Sequence, residues 1–213
     1  MKRFSGLNVD TSKKIMLDVG AFFVNADVSK GYAANVTAGK RIGATQGGGT
    51  FAANPETHYI QVDGMPENTK GMLVLDGWKP TLELKMLEQD ADNVKRALGA
   101  AKSATETLED QSYTKVSPKE EFEDSDYLQN VAYAGKIKGS NFPVWIVMSN
   151  AVSFGGLSWS FADKSETTSD VTFNGHYSVG EGDEISAPPF DIYIPDDITT
   201  AQAQAAVNKA VVK

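Results

Sequence analysis

The segment Lys79-Pro80-Thr81-Leu82-Glu83-Leu84-Lys85-Met86 contains the clearest structural pattern in the chain. Leu82, Leu84 and Met86 are apolar and occupy every second position. The intervening positions, which would face the other side of a strand, are polar: Thr81, Glu83 and Lys85. An alternation with a period of two predicts a β-strand that has one buried and one solvent-facing side. A sheet built from such strands is typical of antiparallel β-proteins.

Other segments carry a similar or shorter strand pattern. They cover residues 57–63, 72–75, 127–137, 143–148, 157–161, 171–177 and 190–194. Asp76-Gly77 predicts a turn that ends the second of them. Trp159 lies on the apolar side of its segment, which favours a place in the core. Together the segments predict a mainly β, antiparallel fold.

Two segments have a helical pattern. Asp90 is a suitable N-cap for a short helix, and Gly99 is expected to end it. Its apolar stripe consists of Val94, Ala97, Leu98 and Ala101. A second, weaker stripe lies in the extension 196–213, after a possible cap at Thr199 or Thr200. We therefore expect one helix flanking the sheets of a domain over residues 1–195, and a C-terminal helical extension.

Two segments lack a clear strand pattern. Residues 38–56 are rich in glycine, which predicts a long flexible loop. Residues 103–126 contain eight acidic residues against Lys115 and Lys119, which predicts an exposed excursion between two parts of the sheet. A calcium loop is the alternative for the second segment, but neither the spacing nor a glycine at the turn matches an EF-hand.

Composition argues against several classes of protein. The 213 residues carry a formal net charge of -8, whereas nucleic-acid binders usually present a basic face. Cysteine is absent, which excludes disulfides and thiolate ligands. The basic N-terminal residues are not followed by an apolar stretch typical of a secretory signal, and no apolar run approaches the length of a membrane span. A cytoplasmic origin is the simplest interpretation.

No pattern indicates a catalytic or cofactor site. His58 and His176 are scattered and are expected to be structural. Gly47-Gly48-Gly49 is not followed by the Gly-Lys-Ser/Thr of a phosphate-binding loop. Paired carboxylates such as Glu83 and Glu88 could serve glycoside hydrolysis, but solvated carboxylates are the more ordinary interpretation. The sequence therefore predicts neither an enzyme, nor a metal site, nor a cofactor.

Several segments together resemble the major tail proteins, or tail tube proteins, of long-tailed, siphovirus-like bacteriophages. They cover residues 42–51, 59–64, 69–71, 79–99, 171–177 and 188–193. The resemblance extends over most of residues 10–195 and rests on the order and spacing of these segments. The acidic segment and the C-terminal extension do not contribute to it.

The resemblance implies an antiparallel β-sandwich with a flanking helix, whose subunits form hexameric rings stacked into a tube. Each subunit would contribute about four strands to an inter-subunit β-barrel. Segment 38–56 becomes the candidate inter-ring loop, with Gly43, Gly47, Gly48, Gly49 and Phe51. Thr81, Glu83 and Lys85 become candidate lumen-facing residues.

The implied setting is a virion tail that is assembled in the host cytoplasm. Its partners would be other copies of the chain, a tape-measure protein, and tail tip and terminator proteins. DNA would pass through the lumen without specific binding, and no membrane would be involved. Three alternatives stay open: the inner tube of a contractile tail or tail-like bacteriocin, a β-sandwich module that binds carbohydrate or a host surface, and a hydrolase.

Overall fold

The computed structural model describes residues 6–8, 10–66, 68–180, 184–185 and 187–197. It is 45% strand and 13% helix, and all its strand pairs are antiparallel, so the predicted mainly β fold is confirmed. The strands in the described part of the chain are β1 (Ala21–Val24), β2 (Thr45–Tyr59), β3 (Leu73–Met86), β4 (Ala101–Leu108), β5 (Gln111–Pro118), β6 (Leu128–Lys136), β7 (Pro143–Ser153), β8 (Ser169–Asn174) and β9 (Phe190–Tyr193). The α-helices there are α1 (Gly31–Thr37) and α2 (Ala91–Leu98).

The main sheet runs in the order β1-β6-β7-β8-β3-β2, with β9 pairing to β7. Strand β7 divides it into two layers. Trp145 to Met148 of β7 lie between β6 and β9, whereas Val152 and Ser153 pair with β8. We call β1, β6, β7 and β9 the first layer, and β2, β3, β8 and the end of β7 the second layer. Buried side chains from both layers join in one core cluster: Phe22, Val24, Ile42, Leu82, Leu84, Met86, Ala97, Val131, Met148, Ala151, Val171 and Phe173.

The two layers differ in how their outer faces are covered. A second cluster lies on the other side of the first layer, where Phe23 and Trp145 pack together with their ring centroids 5.5 Å apart. Tyr32 of α1 makes an edge contact with Phe23 at 5.5 Å. The first layer is therefore covered on both faces around β1, β6 and β7, whereas most of β9 is exposed. The outward face of the second layer, by contrast, carries polar side chains.

Helix α2 begins and ends where the sequence predicts. The Asp90 carboxylate accepts a hydrogen bond from the Asn93 amide at 2.7 Å and so caps the helix. Gly99 follows the last turn with a φ of +74°, a conformation that side chains rarely adopt. A Cβ at Gly99 would overlap the carbonyl oxygen of Ser153. The helix therefore ends against β7, and glycine is required there.

The predicted loop over 38–56 is wrong, because most of it belongs to β2. Residues 49–56 pair in continuous register with β3, from Gly49 opposite Leu84 to Glu56 opposite Gly77. The predicted turn at Asp76-Gly77 is also wrong. Strand β3 continues through it, and a register shift leaves Asp76 without an opposite residue, as in a β-bulge.

Three further predictions concern residues 157–161, 103–126 and 196–213. Residues 157–161 form no strand, and Trp159 is 39% exposed rather than buried. The exposed excursion predicted over 103–126 consists of a β4–β5 hairpin and a 3-10 turn at Asp124–Asp126, and most of its residues are exposed. The helix predicted for 196–213 lies almost wholly outside the described residues.

Candidate interaction surfaces

The outward face of the second layer contains the predicted lumen-facing residues. In the strand register, Thr81 lies between Ala52 and Asn174, and Glu83 lies between Thr50 and Thr172. Directly opposite residues share a face of the sheet, so these side chains form one polar surface, which we call the polar face. Lys85 pairs with Asp170 at 3.5 Å, and Lys79 pairs with Glu56. Glu83 has no such cationic partner among the described residues, which leaves the polar face weakly acidic.

The second layer is open at both edges. Strand β2 is 15 residues long, and in the described chain it pairs with β3 alone. At the other edge, β7 pairs with only Phe173 and Asn174 of β8, so residues 169–172 have a strand partner only on the β3 side. Open edges present unpaired N–H and C=O groups that can pair with another chain.

Strands β2 and β3 form a long hairpin whose end exposes several aliphatic side chains. We call residues 60–66 and 68–72 the hairpin tip. Ile60 and Val62 are 47% and 52% exposed, and Leu73 and Leu75 at the adjoining end of β3 are 51% and 53% exposed. A cavity of about 620 Å³, open to solvent, lies at the tip and is lined in part by Met65 and Met72. Asp63-Gly64 and Pro66, all turn-forming residues, were the sequence signal that could have located this tip.

The residues predicted for an inter-ring loop serve the architecture of β2 instead. Gly43 has a φ of +114°, and a Cβ there would lie 2.6 Å from the Glu88 carboxylate. Gly47 and Gly48, with φ of +79° and +78°, lie within a register shift at the start of β2. A Cβ at Gly49 would lie 2.6 Å from the Phe22 ring. Phe51 is half-buried and packs on the core, 5.8 Å from Phe190 between ring centroids.

The base of the β4–β5 hairpin takes part in an ion-pair cluster around the buried Asp126 side chain. Lys119, just after β5, donates hydrogen bonds to Asp126 at 2.8 Å and to Glu123 at 2.7 Å. The Asp126 side chain is 1% exposed. Burial alone would raise its pKa, but hydrogen bonds from Lys119 and from the Glu123 amide outweigh burial and hold the pKa below its usual value. The hydrogen bond from Lys119 likewise lowers the pKa of Glu123.

His58, His176 and Glu88 each contact a neighbouring group in the structure. The His58 ring lies 2.7 Å from an Asp76 carboxylate oxygen on the exposed β2–β3 hairpin. The His176 ring contacts the Asn150 carbonyl at 3.2 Å and packs edge-on against Tyr127. Glu88 accepts a hydrogen bond from the Ala44 amide at 2.8 Å. No group of three or more His, Asp or Glu residues in the described chain is placed to bind a metal ion.

None of the helices in the described ranges is long and apolar enough to cross a membrane. The chain matches no protein-family model and no curated protein.

Proposed function

We propose that this protein is a structural subunit that assembles into a hollow tube, as tail tube proteins of long-tailed phages do. One observation carries the proposal: the second layer is an antiparallel sheet of four strands, open at both edges, with an uncovered polar face. Strand pairing between copies would satisfy both edges. Closing the sheet into a ring would then remove every exposed edge of this layer.

The dimensions of such a ring suit a conduit for DNA. Six copies with four strands each give about 24 strands, which at ~4.8 Å spacing and ~40° tilt close into a barrel roughly 48 Å across. Side chains would reduce the bore to about 38 Å, and duplex DNA is roughly 20 Å wide. The clearance on each side is about one Debye length at physiological salt. DNA would pass without being gripped.

The polar face is the surface that would line this bore. Its charges are largely compensated by the pairs Lys85–Asp170 and Lys79–Glu56, and Glu83 adds one uncompensated carboxylate. A weakly acidic wall would repel phosphates without a strong field. The expected outcome is negligible DNA affinity for assembled wild-type protein, and salt-dependent DNA binding after Glu83→Lys, because each contacted phosphate releases counterions.

The hairpin tip replaces 38–56 as the candidate contact between stacked rings. Its exposed aliphatic residues project beyond the paired part of β2 and β3. We expect the double variant Ile60→Asp and Val62→Asp to block elongation while leaving single rings. Phe161→Asp is the control, since Phe161 is 78% exposed on a different loop.

Negative-stain electron microscopy of the purified protein over a concentration series is the decisive experiment. Tubes or six-fold rings would support the proposal. A monomer at every concentration, even after a tail initiator complex is added, would refute it.

A surface-binding module is the second candidate, and one observation favours it. Trp159 and Phe161 form an exposed aromatic pair with ring centroids 6.2 Å apart, on the loop between β7 and β8. Exposed aromatic rings can stack on ligands. This candidate predicts a stable monomer that loses its ligand after Phe161→Ala, which the same microscopy would separate from a tube subunit.

A further inference from the structure

The β4–β5 hairpin has two chemically different faces. In its register, Ser103 lies opposite Val116, Thr105 opposite Thr114, and Thr107 opposite Ser112. These six uncharged residues share one side, which we call the neutral hairpin face. The charged residues Lys102, Glu106 and Lys115 all lie on the other side, where Glu106 and Lys115 pair at 2.9 Å.

The outer part of the neutral hairpin face has no partner within the described chain, whereas Ala101 at the base of the same side is buried. Thr105 and Thr114 are exposed, and the hairpin contacts the body mainly at its base, near α2. A two-stranded hairpin alone is marginally stable in water. A flat face of hydroxyl and methyl groups is therefore a surface that another protein can cover.

A second surface at the far end of β6 complements the hairpin. Residues 15–19 run beside the end of β6, and Leu17 and Val19 are 67% and 57% exposed. The exposed lysines Lys14, Lys136 and Lys138 flank them and form no ion pair with the described residues. We call this surface the lysine-flanked strip.

The hairpin carries the opposite charge. Glu109 and Asp110 form its turn, and Glu120 and Glu121 follow its base, all of them exposed. Strand β6 is nine residues long and starts near the hairpin base, so about 27 Å separate Glu120 and Glu121 at that base from the strip lysines. This distance is several Debye lengths at physiological salt. The carboxylates therefore cannot neutralise the lysines of their own chain, but they can neutralise those of another copy.

We infer that the neutral hairpin face of one copy packs against the lysine-flanked strip of a second copy, with the carboxylates at one end of the hairpin facing the strip lysines. The contact is head-to-tail, so it repeats from copy to copy. This inference rests on the proposed function, because the contact adds to an assembly that strand pairing between copies already holds together. One hairpin face measures about 27 Å by 10 Å, or roughly 270 Å². That area is too small to hold a stable dimer by itself.

Charge reversal with complementation tests the contact. One variant combines Lys14→Glu, Lys136→Glu and Lys138→Glu, and the other combines Glu109→Lys, Glu120→Lys and Glu121→Lys. Each should raise the concentration needed for assembly at least about tenfold in sedimentation velocity, because like charges then meet. An equimolar mixture should restore assembly, since each reversed hairpin then meets a reversed strip. Circular dichroism of each variant checks that the fold is retained.

A neutral-face variant tests the packing separately from the charges. Thr105→Lys should impair assembly, whereas Ala104→Lys, on the charged side of the same strand, should not. Wild-type-like assembly of both charge-reversed variants would overturn the inference and leave the tube function standing. Head-to-tail chains without rings, if the mixture restores them, would support the inference and count against the tube. A wild type that never self-associates would overturn both.

Discussion

Replacing Gly99 by alanine should destabilise the protein through two separable effects. The φ of +74° at Gly99 is a left-handed conformation, which costs an alanine about 1 kcal/mol. The added Cβ would also overlap the Ser153 carbonyl oxygen. Because that oxygen belongs to the backbone of β7, relief requires moving either α2 or the strand, and overpacking of this kind costs about 1–3 kcal/mol more. The expected total is about 2–4 kcal/mol.

Gly39 supplies the matched control. It also follows a helix, with a φ of +68°, but a Cβ there would meet nothing within 4 Å. Gly39→Ala should therefore show the conformational cost alone, about 1 kcal/mol. The difference between the two variants isolates the clash with Ser153.

The assay is urea unfolding of the two variants and the wild type at a concentration where each is monomeric. The free energies of unfolding are compared only if they depend on urea concentration with the same slope, since a change in that slope would report a change in the unfolded state. Equal destabilisation by the two substitutions would refute the clash, and with it the close approach of α2 to β7.

Three further changes test other parts of the structure. Leu84→Ala should lower the free energy of unfolding in urea by about 2–5 kcal/mol, because Leu84 is buried in the core. Thr81→Ala on the polar face is the control and should change it by no more than about 0.5 kcal/mol. Similar losses of stability in the two variants would contradict the assignment of faces. Trp159→Phe removes the indole hydrogen bonds to Ser169 at 2.7 Å and Gln89 at 3.0 Å. The β7–β8 loop should then be cleaved faster in limited proteolysis. An unchanged cleavage rate would show that Trp159 does not anchor this loop. The lowered pKa values of Asp126 and Glu123 imply a stabilisation that is present above the ordinary carboxyl pKa, near 4, and is lost as pH falls through the folded-state values. In wild-type protein the urea midpoint should fall as the pH is lowered from about 5 to about 2, and in Asp126→Asn it should fall less. An equal fall in both proteins would exclude this cluster as a source of acid sensitivity.

The parts of the fold that local patterns control could be predicted from the sequence. Leu82, Leu84 and Met86 alternate with polar residues because one face of β3 is buried and the other is wet. Asp90 and Gly99 bound α2 because capping depends on residues close in sequence. The final strand also forms where the alternation of Phe190 and Ile192 predicts it, although most of the strand is exposed.

The errors arose where tertiary contacts decide the structure. Glycines in 38–56 suggest flexibility, yet Gly49 is needed because its backbone lies against Phe22, and β3 supplies the pairing that makes this segment a strand. Trp159 alternates with polar neighbours, but its segment has no strand partner in the described chain, so it stays outside the sheets. The hairpin tip has a local turn signal at Asp63-Gly64 and Pro66. The open strand edges have none, because they depend on pairing between distant segments.

The position of β8 between β7 and β3 has a consequence for folding during synthesis. Strands β2 and β3 are neighbours in the chain and can pair as soon as both have left the ribosome, but the second partner of β3 begins only at Ser169. At bacterial and eukaryotic translation rates, the intervening segment takes on the order of ten seconds to synthesise. For that interval β3 presents a bare edge on each nascent chain, and neighbouring chains on one messenger can pair there out of register. Slow translation between residues 87 and 168 would therefore lower the yield of folded subunit without changing its final stability.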